Sequence, residues 1–131
     1  MKKILTLVIL VNIIFTACEC SYQYDVYVKN SSSQELKISY FSKNDRLSSN
    51  EQTLTLKAGE SQRIISSNDI RVPEGCSGIH PDHSKFVAEY ITAINASGRE
   101  SKLKWGDPSI KLQREDIQQG SFTMEFTNAD F

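Results

Sequence analysis

Apolar and polar residues alternate one for one in run after run of this chain, and a period of two is the signature of a β-strand with one buried face. Tyr22, Tyr24, Val26 and Val28 alternate with Gln23, Asp25 and Lys29. Leu36, Ile38 and Tyr40 alternate with Lys37 and Ser39, and Phe122, Met124 and Phe126 with Thr123, Glu125 and Thr127. Clusters of turn-forming residues separate the runs: Asn30-Ser31-Ser32-Ser33, Lys57-Ala58-Gly59-Glu60, Asn95-Ala96-Ser97-Gly98 and Gly106-Asp107-Pro108. Their small polar side chains hydrogen-bond to nearby backbone, and glycine enters positive φ cheaply.

Shorter segments extend the pattern. Thr53–Leu56 and Gln62–Ser66 read as two strands joined as a hairpin by Lys57–Glu60. Ser42–Glu51 reads as a polar loop, and 67–84 as a long loop unless a short strand lies near Ile70–Val72. Phe86–Ile94 is apolar on both faces apart from Glu89, which predicts a strand in the middle of a sheet. Lys102–Trp105 is expected as its return strand, Ile110 and Leu112 as a short strand, and Gln113–Gln119 as one helical turn. Seven or eight short strands with almost no helix predict an all-β, antiparallel two-sheet sandwich. A small closed barrel is the alternative.

The first residues follow another rule. Met1-Lys2-Lys3 opens a nearly unbroken apolar run from Ile4 to Phe15. A helix of about 12 residues reaches about 18 Å, short of a hydrocarbon core about 30 Å thick. A charged start followed by a short apolar run is the pattern of a secretory signal, so residues 1–17 are expected to be removed. The run ends in Phe15-Thr16-Ala17-Cys18, which resembles the lipobox of bacterial lipoprotein precursors, with Phe15 where Leu is usual. The resemblance implies that the Cys18 thiol receives a diacylglycerol group, that cleavage occurs before Cys18, and that the new amine is acylated. Ordinary signal peptidase prefers small residues at both −1 and −3, and Phe15 counts against it. Two or three acyl chains, at about 0.8 kcal/mol per buried methylene, anchor a domain durably where one chain does not. The expected organisation is a signal peptide over 1–17, a lipidated tether over 18–21 and one domain over 22–131. The expected location is the bacterial cell envelope, with the outer membrane favoured, on its periplasmic face or at the cell surface.

A second resemblance concerns the body. Tyr27-Val28-Lys29-Asn30-Ser31, Leu36-Lys37-Ile38 and Leu56-Lys57-Ala58-Gly59-Glu60-Ser61 look like the early strands of immunoglobulin-like bacterial envelope lipoproteins. The ending Phe122–Phe131 resembles small lipoproteins of the Bacteroides kind, most of unassigned function. What this implies is an immunoglobulin-like sandwich rather than an activity.

Charge excludes one class of partner. The chain carries a net −1, and without Lys2 and Lys3 the remainder carries −3. Lys and Arg are scattered among Asp and Glu, so no nucleic-acid partner is expected. Once Cys18 is lipidated, Cys20 and Cys76 remain, and an oxidising envelope favours a bridge between them. It would close a loop of about 55 residues and contribute roughly 4 kcal/mol. Two separate thiols are the alternative, since spacing alone does not bring Cα atoms within reach.

Other constellations are weaker. Cys76-Ser77-Gly78-Ile79-His80-Pro81-Asp82-His83 gathers both histidines, but it matches no metal-ligand spacing, and Pro81 keeps His80 and His83 off one regular helix face. Neither a metal nor a cofactor is expected. No G-x-S-x-G, H-E-x-x-H or Gly-rich phosphate loop is present, so catalysis is not expected. Trp105 and Tyr27, with Tyr22, Tyr40 and Tyr90, could stack on a sugar ring, although their place on alternating faces favours a core role. Asn30-Ser31-Ser32 and Asn95-Ala96-Ser97 fit the N-glycosylation pattern, for which a bacterial lipoprotein gives no reason. The expected function is a non-enzymatic, membrane-tethered module for an envelope protein, with glycan binding or a Cys/His-loop activity as alternatives.

Overall fold

The computed structural model describes residues 21–43, 50–71, 87–115 and 118–131. Residues 1–20, with the expected signal peptide, Cys18 and Cys20, lie outside them, as do Cys76, His80, His83, Phe86 and most of the two expected long loops.

Seven strands make up the described residues: β1 (Ser21–Asn30), β2 (Leu36–Phe41), β3 (Gln52–Leu56), β4 (Ser61–Arg71), β5 (Tyr90–Asn95), β6 (Leu112–Arg114) and β7 (Gln119–Phe126). They form a four-stranded sheet in the order β4-β1-β7-β6 and a three-stranded sheet in the order β3-β2-β5. The chain is therefore an all-β two-sheet sandwich, not a closed barrel. Four of the strand pairs are antiparallel, but β1 and β7 run parallel, with Val26 beside Phe122 and Val28 beside Met124.

Strand alternation builds the core. Tyr22, Tyr24, Val26 and Val28 of β1 and Phe122, Met124 and Phe126 of β7 all point inward and are buried. Leu36 and Ile38 of β2, Leu56 of β3, and Ile91 and Ala93 of β5 are buried in the same cluster. The Tyr24 and Phe122 rings sit 5.8 Å apart and tilted, a favourable aromatic geometry. Strand β4 departs from strict alternation, since Ile64 and Ile65 are both buried. Its register against β1 slips twice, between Tyr22 and Tyr24 and between Val26 and Tyr27. Such bulges leave an extra residue on one strand and can turn two successive side chains toward the core.

Several expected connections differ. β3 and β4 are not a hairpin: β3 pairs with β2 and β4 with β1, so Lys57–Glu60 carries the chain from one sheet to the other. The Lys57 amide donates to Glu60 Oε2 at 2.8 Å, and Gly59, at φ +81°, donates to the Asn30 carbonyl at 2.7 Å. The strand expected near Ile70 is the continuation of β4 to Arg71.

The central strand predicted over Phe86–Ile94 is instead the edge strand β5, starting at Tyr90. Val87 and Ala88 are buried as neighbours, which is why the segment reads as apolar on both faces. Among the described residues, Ile94 is the large apolar side chain left exposed, at 41 %. Residues 99–101 cover the edge at this end: Asn95 donates to the Arg99 carbonyl at 3.0 Å and Ser101 to that of Ala93 at 2.8 Å.

Lys102–Trp105 forms no return strand. Ser101 Oγ accepts from the Leu103 amide at 3.1 Å, and the Lys102 amide donates to Asp130 at 2.7 Å, so side-chain turns replace a ladder. The helical turn expected over Gln113–Gln119 is likewise absent among the described residues. Gln113 belongs to β6, Gln119 to β7, and the Glu115 amide donates to the Gln119 carbonyl at 3.0 Å.

Candidate functional site

The strands give the sandwich two distinct ends. One holds Ser21, Arg71 and Gln119, where β1 begins, β4 ends and β7 begins. The other gathers Asn30, Leu36, Leu56, Ser61, Asn95 and Phe126, and with them the β1–β2 and β3–β4 turns. Ser21, three residues after Cys18 in the sequence, opens β1 at the first end.

Asn30 organises the far end. It is fully buried, and its Nδ2 donates to the carbonyls of Gln34 at 2.7 Å and Leu56 at 2.9 Å. Its Oδ1 accepts from the Ser32 amide at 3.0 Å and the Ser32 hydroxyl at 2.7 Å. One amide thus satisfies groups from the end of β3 and from the turn after β1, and it links the two sheets. The C-terminal segment closes over the same turn. Ser33 donates from its amide to Asn128 Oδ1 at 3.0 Å, and Ser31 to the Phe126 carbonyl at 2.8 Å. Thr127 caps the short 3₁₀ turn Asn128–Asp130 through Asp130 Oδ2. The Phe131 ring rests on Phe126 with centroids 6.5 Å apart. Between these parts opens a polar pocket of about 160 Å³ lined by Ser32, Gln34, Asn95, Arg99, Asn128 and Phe131.

A second, larger cleft of about 450 Å³ lies on the four-stranded sheet. β6 pairs only with Gly120–Phe122, leaving the rest of β7 beside residues 103–111. Lys29, Lys111, Thr123 and Glu125 line this step. Lys29 Nζ donates to Glu125 Oε1 at 2.8 Å, and the Ser31 hydroxyl donates to the same oxygen. These two bonds hold the Glu125 carboxyl below the usual range. Nearby, the Ser109 hydroxyl and amide donate to Asp107 Oδ1 at 2.7 and 2.9 Å and hold that carboxyl low as well. On the three-stranded sheet Tyr90 lies 6.3 Å from Phe41, ring to ring. Partial desolvation, with the adjacent Glu51 carboxylate, pushes its phenol up.

The structure separates the two aromatic residues singled out for sugar stacking. Trp105 is half-buried and packs edge-on against inward-facing Phe122, with centroids 5.4 Å apart. Tyr27 lies on the outer face of β1, one residue out of phase with buried Val26 and Val28. The sheet stands between the two rings. Tyr22 is core, while Tyr40 packs partly buried against it. Cys18, Cys20, Cys76, His80 and His83 lie outside the described residues. Among those that are described, no group of three or more His, Cys, Asp or Glu could hold a metal. No helix among them is long and apolar enough to cross a membrane.

Sequence reasoning passed over Asn30, Asn95, Arg99 and Asn128 as a group. The available signal was asparagine at the close of three strands, where its amide can satisfy the turn that follows. Comparison with known protein families, curated proteins and solved structures finds no match.

Proposed function

We propose that this protein is a lipid-anchored, non-enzymatic module of the bacterial cell envelope that presents the Asn30 end of its sandwich to an envelope protein. The observation that supports this is the placement of β1. It starts at Ser21, three residues after the candidate lipidated Cys18, and runs ten residues to Asn30. At about 3.3 Å per residue, the far end stands about 30 Å from the tether. A three-residue tether reaches only about 10 Å, so the near end lies against the headgroups and the far end faces outward. That far end carries the β1–β2 and β3–β4 turns, residues 95–98 and the C-terminal segment, a cluster of turns braced by a rigid sandwich.

In-cell photo-crosslinking tests the reading. A crosslinker at Ser33 or Ser97, both exposed at the far end, is expected to trap a discrete envelope protein. One at Thr53 on the three-stranded sheet is expected to trap none. Cys18→Ala, carried behind an ordinary cleavable secretory signal in place of residues 1–17, is expected to release the protein from the membrane fraction and abolish the adduct. Adducts that persist in soluble Cys18→Ala protein, or that form only from Thr53, would contradict the proposal.

A further inference from the structure

We infer that this sandwich is a tension-bearing link, in which a pull between the chain before Ser21 and the segment after Phe126 is carried in shear along the ladder that joins β1 to β7. The direction of load is set by where the chain enters and leaves the four-stranded sheet. It enters at Ser21, the start of β1, and leaves from Phe126, the end of β7. These strands are neighbours and run parallel, with Gln23 beside Gln119 at one end and Asn30 beside Phe126 at the other. Entry and exit therefore lie at opposite ends of one ladder. A pull on both drives β1 and β7 past each other along their length. Interstrand bonds lie across the strands, so sliding strains them together, whereas peeling breaks them one after another.

The ladder is fastened at both ends. The Gln23 amide donates to the Gln118 carbonyl at 2.8 Å, and the Ser31 amide to the Phe126 carbonyl at 2.8 Å. Side chains repeat the pattern: Gln119 Nε2 donates to Gln23 Oε1 at 3.3 Å, and Lys29 Nζ to Glu125 Oε1 at 2.8 Å. On its other flank β1 pairs with β4 from Ser21–Arg71 to Lys29–Ser61, and Arg63 reaches Asp25 Oδ2 at 3.4 Å. Tyr22, Tyr24, Val26 and Val28 anchor β1 in the core. A slide of one residue would turn all four to the outer face, and a slide of two would carry each about 6.6 Å from its place. Past β7 the exit is fixed in turn, since the Lys102 amide donates to the Asp130 carbonyl at 2.7 Å and the Phe131 ring rests on Phe126. The source of the load rests on the envelope reading, with acyl chains holding one end and a partner the other. The mechanical asymmetry stands without it.

The same molecule offers a weak direction for comparison. Ser21 and Arg71 lie side by side at one end of the β1–β4 ladder, so a pull between them peels the two strands apart. Single-molecule force spectroscopy on the full chain, in neutral detergent micelles, measures both. Reductant keeps a Cys20–Cys76 bridge from sharing the load. One handle sits on an azide-bearing residue in place of Glu19, and the second either follows Phe131 or replaces Arg71. Matching urea midpoints for the two labelled chains ensure that the comparison reports direction rather than stability. At equal pulling speed the 19–131 direction is expected to rupture in one step, at about threefold the force of the 19–71 direction. Equal forces in the two directions would overturn the inference. So would a 19–131 trace that lengthens in small steps below the 19–71 rupture force. Neither outcome depends on what Cys18 carries, so failure here is separable from failure of the crosslinking test.

Discussion

Replacing Asn30 with alanine removes a node that joins both sheets, and the cost can be worked from its partners. Four hydrogen bonds disappear, to the Gln34 and Leu56 carbonyls and from the Ser32 amide and hydroxyl. The Ser32 hydroxyl keeps an outlet, since it also reaches the Gln34 carbonyl at 3.1 Å. The Leu56 carbonyl and the Ser32 amide lose this buried partner. Each stranded buried group costs about 1–3 kcal/mol, so Asn30→Ala is expected to lose about 3 kcal/mol of a total of roughly 5–15. The assay is urea unfolding of the chain from residue 18 onward carrying Cys18→Ser. With a slope of about 1.3 kcal/mol/M, the midpoint falls by about 2 M. Asn30→Asp sharpens the test. It keeps the acceptors, loses both donors, and points a charge at two carbonyls, so its carboxyl pKa rises in the folded state. Stability recovered by protonation is present at low pH and lost as pH rises through that raised value. The deficit relative to wild type should shrink between pH 7 and pH 4. A loss below 1 kcal/mol for Asn30→Ala, or a deficit for Asn30→Asp that ignores pH, would refute the reasoning.

Three other outcomes follow from local geometry. Gly120→Ala places a Cβ 2.7 Å from Leu112 Cδ1 and 3.1 Å from the Gln113 carbonyl, so the tip of the Leu112 side chain must swing aside and the β6 backbone give by a few tenths of an ångström. A loss of about 1–2 kcal/mol is expected by the same unfolding assay. The Lys29–Glu125 pair is about half exposed on both sides, and a double-mutant cycle should give only about 0.5 kcal/mol. Because the folded Glu125 pKa is lowered, that coupling is complete above the ordinary glutamate value of about 4.3 and is lost as pH falls through the lowered value. Ser21 pairs with Arg71, so the chain runs from Cys20 into β1 beside the point where it leaves β4 toward Cys76. Non-reducing peptide mapping of envelope-derived protein is expected to recover a Cys20–Cys76 peptide, and finding both thiols free would remove the bridge.

The fold was legible wherever alternation is unbroken. β1, β2 and β7 announce themselves through Tyr22–Val28, Leu36–Tyr40 and Phe122–Phe126, because in each a single face meets the core. Reading failed where pairing is decided at long range. Thr53–Leu56 and Gln62–Ser66 stand as close as any hairpin, yet nothing local reveals that each finds its partner in a different sheet. The parallel register of β1 with β7 joins residues almost a hundred positions apart and leaves no local mark. Phe86–Ile94 misled because neighbouring Val87 and Ala88 are buried outside any strand, which imitates a strand covered on both faces. The far-end pocket was hidden for a related reason: Asn95 and Asn128 read as ordinary turn residues, and only the fold brings their amides beside Arg99.

Everything proposed about orientation depends on acyl chains carried by Cys18. Intact-mass measurement of the protein isolated from envelopes tests this most directly. The account predicts a mature chain beginning at residue 18, heavier than its peptide by a diacylglycerol and an amide-linked acyl group. A mass that retains residues 1–17, or a chain with an unmodified sulfur at Cys18, would contradict it.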